Sequence, residues 1–458
     1  MSKTKPNRKG KPAAPQPDNS KRKFIALSLG GLAGAGTLAV AGIGYKAGWF
    51  GSESNPSALP TASPTPKLAT GKSLPPVTMD ANLQNAIVAA NDITSHYARE
   101  LNNASTLIHC VRAFGKNFKL NDGTPAMDFL CSRFAAEKEV NGKRYVYFQR
   151  EAEVHENSFL KTFLEAGISP DFPITAGANK YTLRDLGDSA KALFRCDINN
   201  FNRYEPNLIG QHLPWGLIAF SFLIPPTQPT WVNAWGETIN LPEVVDRSLA
   251  VFEATCAEIP QTAFQPDGES VEFRKAISKF SCAGMHNVYS YFPLLQHGYK
   301  NNGLEARLGK LLDNTLLRMK ADSQSIDHEA DAAKGEGPEL IARMAYEDQG
   351  GKIATKGAAP GNVLEVMRYR YQIRMLGHAL EAINYIQLHK LYTLTPAQKG
   401  RLRVGEQLLY DFLVKLRATD LQPFMNWYPK FVSDTVIAVA HAARGLKLLT
   451  SDNPDTVA

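Results

Sequence analysis

Residues 434–449 read DTVIAVAHAARGLKLL, and this segment is apolar nearly all round when it is drawn as a helix. A helix without a polar face must be enclosed by the rest of the chain, because it would otherwise leave apolar surface in water. A second long segment with helical periodicity, residues 362–391, carries the sequence GHALEA at 377–382. We therefore predict a mainly α domain built around buried helices.

Helix caps and turn residues predict where further helices and a hairpin begin along the rest of the chain. Asp80 and Thr182 are helix N-caps, and Thr395 is a cap followed by Pro396 at the first helical position. The clearest β signal, the Asn141-Gly142 pair, predicts one small β-hairpin. So many helices without alternating strands argue against an α/β sheet and favour stacked helical hairpins. Helices are predicted from 81 onward and at 157–166, 182–195, 303–320, 362–391, 395–417 and 434–449.

The segments GHALEA (377–382) and HAARGL (441–446) look like the inner-helix segments of α/α-toroid domains, which are barrels of helical hairpins. This superfamily includes many polysaccharide lyases, glycosidases and terpenoid cyclases. The resemblance spans residues 80–449 in architecture, and no stretch identifies one family within the superfamily. It implies a central cleft lined by inner helices and a carbohydrate-active enzyme, either glycoside hydrolase-like or polysaccharide lyase-like.

The N-terminus has the features of a membrane-targeting segment. Residues 1–23 hold eight basic residues and one acid, a net charge of +7, which equals the +7 of the whole chain. Basic and acidic residues are therefore equal in number after residue 23, and we expect no nucleic-acid partner. Residues 24–45 form an uncharged apolar run of the length that a transmembrane helix needs, and the basic tail favours the cytoplasmic side.

Two interpretations of the apolar run stay open. It is long enough for a permanent anchor, and Gly30 and Gly34 form a GxxxG pair through which two such helices could approach. Ala39-Val40-Ala41 is instead typical of a signal-cleavage site. Residues 20–25 resemble the twin-arginine export signal, with Lys21 where the first arginine should stand. We favour the uncleaved anchor.

The predicted organisation follows from these boundaries. A basic cytoplasmic tail (1–23) precedes the transmembrane helix or signal anchor (24–45), a Pro/Ser/Thr/Ala-rich linker (46–77), the helical domain (78–450) and a short tail (451–458). The apolar stretch at 217–224 is too short for a second crossing. We expect a single-pass protein of the cell membrane whose helical domain is periplasmic or extracellular. The oligomeric state stays undetermined.

One candidate site lies at residues 281–289, which we predict to continue a helix. On it, Cys282, His286 and Tyr289 follow one another at spacings of four and three, so their side chains should be neighbours. A cysteine and a histidine at this spacing could hold a metal, and His286 with Tyr289 could transfer protons. Two ligands do not make a zinc site, and a buried cysteine beside a hydrogen-bonded core histidine has the same pattern. We therefore predict no metal, and the cofactor stays unknown.

The helix at 362–391 carries a second candidate site beside its apolar stripe. Tyr371, His378 and Tyr385 lie along one flank, with Glu381 three residues after His378. Tyrosine, histidine and carboxylate on one flank suit the wall of a pocket that binds sugars, although a half-buried packing interface would look the same. Trp215, next to His212, is a candidate carbohydrate platform.

If the protein is an enzyme, we predict Glu381 as the acid or base and His286 and His378 for proton transfer or ligand binding. The predicted substrate contacts are Tyr289, Tyr385, Tyr371 and Trp215. The carboxylates of the acidic run at 327–331 could bind calcium or act as acid or base, but we interpret the run as a solvated loop. The GxSxG, HExxH and GxGxxG motifs are absent. The alternative function is a non-catalytic binding or scaffold protein of the cell envelope.

Overall fold

The computed structural model of the chain describes residues 79–257, 277, 279–337 and 355–452. The predicted basic tail, apolar run and linker lie outside these residues. Within the described part, no helix is both long and apolar enough to cross a membrane.

The described part is mainly α, as predicted. Its helices are α1 (Ala81–Leu101), α2 (Ala104–Phe114), α3 (Ala126–Arg133), α4 (Ser158–Glu165), α5 (Leu183–Leu193), α6 (Leu208–Gln211), α7 (Leu213–Leu223), α8 (Leu241–Cys256), α9 (Met285–Gln296), α10 (Leu304–Ala332), α11 (Val363–Leu388), α12 (Pro396–Arg417), α13 (Gln422–Trp427) and α14 (Pro429–Thr450). The strands are β1 (Ala135–Val140), β2 (Lys143–Phe148), β3 (Pro173–Ala176), β4 (Asn179–Thr182), β5 (Thr230–Val232) and β6 (Thr238–Asn240).

The predicted helix caps are confirmed. The Asp80 side chain accepts the Leu83 N–H at 2.8 Å, so α1 starts where the cap places it. Thr182 and Thr395 each form a reciprocal capping box, in which the third helical residue returns a hydrogen bond to the cap's backbone N–H. Local hydrogen bonds of the cap residues thus account for where these helices start.

The strands pair only as short antiparallel hairpins. The predicted hairpin is present as β1 and β2, joined by Asn141 and Gly142 in left-handed conformations. Two hairpins that we did not predict, β3–β4 and β5–β6, turn at Gly177 and Gly236, both at positive φ. Their strands are only three or four residues long, so alternation in the sequence is too brief to indicate them.

Two local predictions are wrong. The acidic run at 327–331 is not a loop, because it lies on the last turns of α10, where the Asp327 carboxylate accepts from Arg368 Nε at 2.6 Å. The helix predicted through 281–289 begins only at Met285. Cys282, Ala283 and Gly284 have φ values of 51°, 50° and 80°, so the chain turns sharply just before α9.

Six helices contact one another in a closed circuit. Along the chain, α2 packs on α4, α4 on α7, α7 on α9, α9 on α11, α11 on α14, and α14 returns to α2. We refer to these six as the inner helices. Others flank the circuit: α1 packs on α14 and α2, α10 on α9 and α11, and α12 on α11.

Glycines allow the backbones of α11 and α14 to approach each other closely. A side-chain carbon at Gly377 would lie 2.9 Å from the Ala442 backbone nitrogen, and one at Gly445 would lie 3.0 Å from the Glu381 nitrogen. Only glycine leaves room for the two backbones at this distance. GHALEA on α11 and HAARGL on α14 therefore lie against each other, and the polar residues between these glycines face one interior.

Candidate functional site

Polar side chains from five inner helices meet inside the circuit. We call this group the central cluster, and each of its members touches another member by a hydrogen bond, ion pair or ring contact. The members are His109 and Arg112 of α2, Lys161 and Glu165 of α4, His286 and Tyr289 of α9, His378, Glu381 and Tyr385 of α11, and His441 and Arg444 of α14.

An ion-pair network forms the middle of the cluster. Arg112 Nε lies 2.9 Å from Glu165 Oε2, Lys161 Nζ lies 3.0 Å from the same oxygen, and Arg112 also pairs with Glu381. All four side chains are almost fully buried. Burial opposes ionisation of Glu165, but Arg112 and Lys161 outweigh it and hold the Glu165 pKa well below its usual range. Burial lowers the pKa of Lys161 to about 8, helped by the neighbouring Arg112.

Glu381 and His441 form a carboxylate–imidazole pair. Glu381 Oε2 lies 2.8 Å from His441 Nδ1. Arg112 pairs with the same carboxylate, and its Nη1 also lies 3.3 Å from His441 Nδ1. The contact of Nδ1 with Glu381 is the shorter one, so we assign Nδ1–H as the donor to the carboxylate. Burial, with His378 and other neighbours, holds the pKa of His441 well below its usual range. The imidazole is therefore neutral near pH 7 and keeps a lone pair on Nε2.

Four histidine rings are in contact with one another. His378 stacks on His441 with ring centres 3.6 Å apart, and His286 meets His378 edge-on at 4.6 Å. His109 lies 5.0 Å from His441. Burial is the main reason that the pKa values of His109 and His378 fall to about 3, so these rings are neutral as well.

The tautomer of His378 follows from its partners. Its Nδ1 lies 2.6 Å from the Arg374 carbonyl oxygen, which can only accept, so Nδ1 carries the proton. Its bare Nε2 then faces His286 Nε2 at 3.1 Å. Arg374 itself directs its Nε–H at Cys282 Sγ, 3.2 Å away, one helical turn before His378.

Two tyrosines border the ion pairs. Tyr289 donates its hydroxyl hydrogen to Glu165 Oε1 at 2.5 Å, and its ring centre lies 5.2 Å from that of Tyr385. Tyr385 bonds to Gln296. Burial is the main cause that raises the pKa of both tyrosines well above the usual value, and the nearby Glu165 carboxylate is the second. Both hydroxyls therefore remain protonated donors.

The structure brings together five of the seven predicted site residues. Glu381, His378, His286, Tyr289 and Tyr385 all belong to the central cluster. Trp215 lies at its border, 4.5 Å from the His286 ring, but the Trp215 ring is buried and stacked on His155 at 3.8 Å. The Tyr371 hydroxyl accepts from Arg370 Nη2 at 3.1 Å, and within the part of the chain that the structure describes Tyr371 makes no hydrogen bond or ring contact with the cluster.

Sequence reasoning missed half of the cluster: His109, Arg112, Lys161, Glu165, His441 and Arg444. A usable signal exists in α4, where Lys161 and Glu165 stand four apart inside the otherwise apolar SFLKTFLE. Charges placed on the apolar face of a short helix indicate buried ion pairs. In α2 the same signal is Arg112, within LIHCVRAF.

Solvent reaches one side of the cluster. His109, His286 and Arg374 are partly exposed, whereas His378, His441 and Glu381 are buried behind them. His155, which covers Trp215, is also partly exposed. A ligand would therefore meet His109, His286 and Arg374 first.

A separate surface groove of about 850 Å³ lies between α10 and α12. Its charged lining includes Lys300, Glu305, Asp313 and Arg401, and Arg401 already pairs with Asp313 at 2.8 Å. No member of the central cluster lines it.

No family model, curated protein or solved structure matches this chain. The function must therefore be argued from the cluster alone.

Proposed function

We propose that the protein is a carbohydrate-active enzyme that cleaves an acidic polysaccharide of the cell envelope inside an α/α-toroid. The closed circuit of six inner helices, flanked by α1, α10 and α12, supports the toroid. The observation that carries the function is the central cluster, in which neutral histidines lie beside an ion-pair network in a partly accessible interior.

The charges of the cluster favour an anionic substrate. Arg112 and Lys161 are matched by Glu165 and Glu381, whereas the partly exposed Arg374 has a thiol as its hydrogen-bond partner. An arginine on the accessible side suits a carboxylate, which it can bind with two parallel hydrogen bonds. A uronic acid unit of a polysaccharide carries such a carboxylate.

The chemistry favours elimination over hydrolysis. A glycosidase needs a carboxylic acid whose pKa is raised so that it can protonate the leaving oxygen. The network does the opposite to Glu165, whose pKa is depressed. Elimination needs instead a neutral base and a positive charge beside the substrate carboxylate.

His441 with Glu381 is the base in this proposal. Glu381 orients the ring through Nδ1, and the bare Nε2 removes the proton from the carbon next to the uronate carboxylate. The released electron pair forms a carbon–carbon double bond as the bond to the glycosidic oxygen breaks. The protonated His441 then passes the proton that it removed to the leaving oxygen, which returns the imidazole to its neutral form. Arg374 stabilises the charge that develops on the carboxylate, while the rings of His286 and His378 border the ligand beside the base.

The location completes the proposal. The basic tail and the apolar run of the sequence support a helical domain that lies outside the cytoplasm and is tethered to the membrane by the linker. Fusion of a reporter enzyme that is active only outside the cytoplasm to the C-terminus tests this, and an inactive reporter would refute it.

The decisive assay incubates the full chain, solubilised in detergent, with polyuronates and with a neutral glucan. We expect shortened polyuronate chains that carry the ultraviolet absorbance of an unsaturated uronate, and no change in the glucan. Binding of polyuronate without an unsaturated product would favour the non-catalytic binding protein. Absence of both binding and product would refute a carbohydrate function.

The residue test replaces His441 by Asn, which keeps an N–H for Glu381 but removes the base. We expect the rate to fall by about a hundredfold or more, with the unfolding midpoint little changed. His96→Asn on α1 is the matched control, because the His96 side chain is 60% exposed and lies on a flanking helix. An equal loss of rate in His441→Asn and His96→Asn would contradict the assignment of His441 as the base.

A further inference from the structure

Cys282, His286 and His378 converge on one point beside the cluster. Their ligand atoms, one thiol sulfur and two imidazole nitrogens, all lie within 4.8 Å of one another. Cys282 and His286 stand four residues apart, whereas His378 lies 92 positions after His286. Cys282 and His378 are buried, and His286 is partly exposed.

We propose that these three residues bind a zinc ion. Two imidazole nitrogens that share a tetrahedral zinc at 2.0–2.1 Å lie about 3.3 Å apart. The Nε2 atoms of His286 and His378 are already 3.1 Å apart and face each other. Sulfur and imidazole ligands together suit zinc better than they suit magnesium or calcium, which prefer oxygen.

The surroundings hold the ligands as a metal site requires. His378 donates its Nδ1–H to the Arg374 carbonyl at 2.6 Å, which fixes the tautomer that leaves Nε2 free. Arg374 Nε donates to Cys282 Sγ at 3.2 Å, so the sulfur already acts as an acceptor. At 3.1 Å the two Nε2 atoms are at hydrogen-bond distance, with His286 as the donor to the bare Nε2 of His378, and zinc would replace that proton between them.

The backbone that presents Cys282 is rigid. Cys282 and Ala283 both have left-handed φ values, which cost free energy for residues other than glycine. Neighbours hold this turn: Arg318 Nη1 donates to the Ala283 carbonyl at 3.0 Å, and Ser281 N donates to the Gly210 carbonyl at 2.9 Å. A side-chain carbon at Gly284 would lie 2.6 Å from the Phe252 ring. The turn therefore places the sulfur at a fixed position before α9.

Three protein ligands leave the fourth position of a tetrahedral zinc open. Closed sites with four protein ligands are typical of structural zinc, whereas an open position is typical of zinc that binds water or substrate. The partly exposed His286 and Arg374 lie on the accessible side of this site. When bound, zinc would polarise an oxygen of a ligand held there. The site does not depend on the polysaccharide proposal.

The test measures metal, not turnover. The full chain in detergent is stripped with a chelator, reloaded with Zn²⁺ and analysed for bound zinc, and a Co²⁺-loaded sample is examined by absorption spectroscopy. We expect one zinc per chain, and for cobalt a thiolate charge-transfer band together with the bands of a tetrahedral ion.

Cys282→Ser should abolish the thiolate band and weaken zinc binding by at least about tenfold. His378→Asn should weaken binding comparably but keep the thiolate band. Cys196→Ser is the control, since Cys196 is partly exposed and lies outside the three-residue group. Circular dichroism must show that each variant is folded.

Three outcomes would overturn the proposal. They are the absence of stoichiometric zinc in the wild-type chain, unchanged zinc affinity in both folded ligand variants, and a cobalt spectrum without a thiolate band. Copper is tested in competition, because a Cys-His-His set also suits copper. Binding of Cu²⁺ that excess Zn²⁺ cannot displace, with an intense visible thiolate band, would replace zinc by copper.

Discussion

Glu165 is the residue on which the interior charge balance depends most. It accepts from Arg112, Lys161 and Tyr289, and its side chain is 1% exposed. A carboxylate in such a site compensates two buried cations at once. Its removal leaves Lys161 without its ion-pair partner at 3.0 Å and Arg112 with Glu381 alone, which costs more than the loss of a single hydrogen bond.

We predict that Glu165→Gln lowers the free energy of unfolding by about 3–5 kcal/mol. Gln keeps the shape but removes the charge that pairs with Arg112 and Lys161. Urea unfolding of the full chain in detergent measures the change. Glu139→Gln, on the exposed face of β1, is the control and should change stability by less than about 0.5 kcal/mol. A similar loss of unfolding free energy in both variants would contradict the prediction that Glu165→Gln leaves buried positive charge without its partner.

At the scale of elements, the α11–α14 contact positions the cluster. Gly377 and Gly445 allow the two backbones to approach, and this approach places Glu381 against His441. The two helices are long, 26 and 22 residues, so a local disturbance moves side chains along much of the interior. Helix packing at this contact should therefore outweigh intrinsic helix propensity.

We predict that Gly377→Ala destabilises the protein by about 1–3 kcal/mol, because the added carbon would meet Ala442 backbone at 2.9 Å. Gly400→Ala on α12 is the opposite case. Gly400 is exposed and has no atom within 4 Å of the added carbon, so alanine should stabilise by up to about 1 kcal/mol through helix propensity. Thermal unfolding of the two variants measures both effects. Stabilisation by Gly377→Ala as well as by Gly400→Ala would contradict a close backbone contact between α11 and α14.

At the scale of the whole molecule, neutral histidines make stability depend on pH. Burial lowers the pKa of His212, His297 and His389 to about 4, outside the central cluster. Below pH 6.5 the unfolded chain takes up protons that these folded residues reject. Their contribution is complete above about pH 6.5 and is lost as the pH falls toward about 4.

His212 provides the test of this dependence. Its Nδ1 accepts the Glu156 backbone N–H at 3.2 Å, and Arg150 and Glu205 face its other nitrogen at 3.2 and 3.4 Å. Between pH 6.5 and 5 it should account for a loss of about 1–2 kcal/mol. His212→Gln should reduce the fall in urea stability over this range by that amount. An equal fall in variant and wild type would refute the role of His212.

The sequence by itself determined the elements that local chemistry controls. Caps at Asp80, Thr182 and Thr395 set helix starts, and the apolar 434–449 segment indicated a buried helix. The sequence also indicated Glu381, His378, His286, Tyr289 and Tyr385 as candidate site residues. Each of them stands three or four positions from another polar residue of the same predicted helix. The sequence-based prediction failed at Cys282, because Cys282, Ala283 and Gly284 have left-handed φ values and the helix begins only after them, at Met285.

Only the tertiary structure decided which of these residues form a site. Arg444 donates to the Arg112 carbonyl across 332 positions, and His378 meets His286 across 92. Such neighbours exist only once the circuit of helices closes, since no spacing along one helix brings them together. The ionisation of Glu165 and the neutrality of the histidines follow from the same closure, because burial and nearby charges set their pKa values.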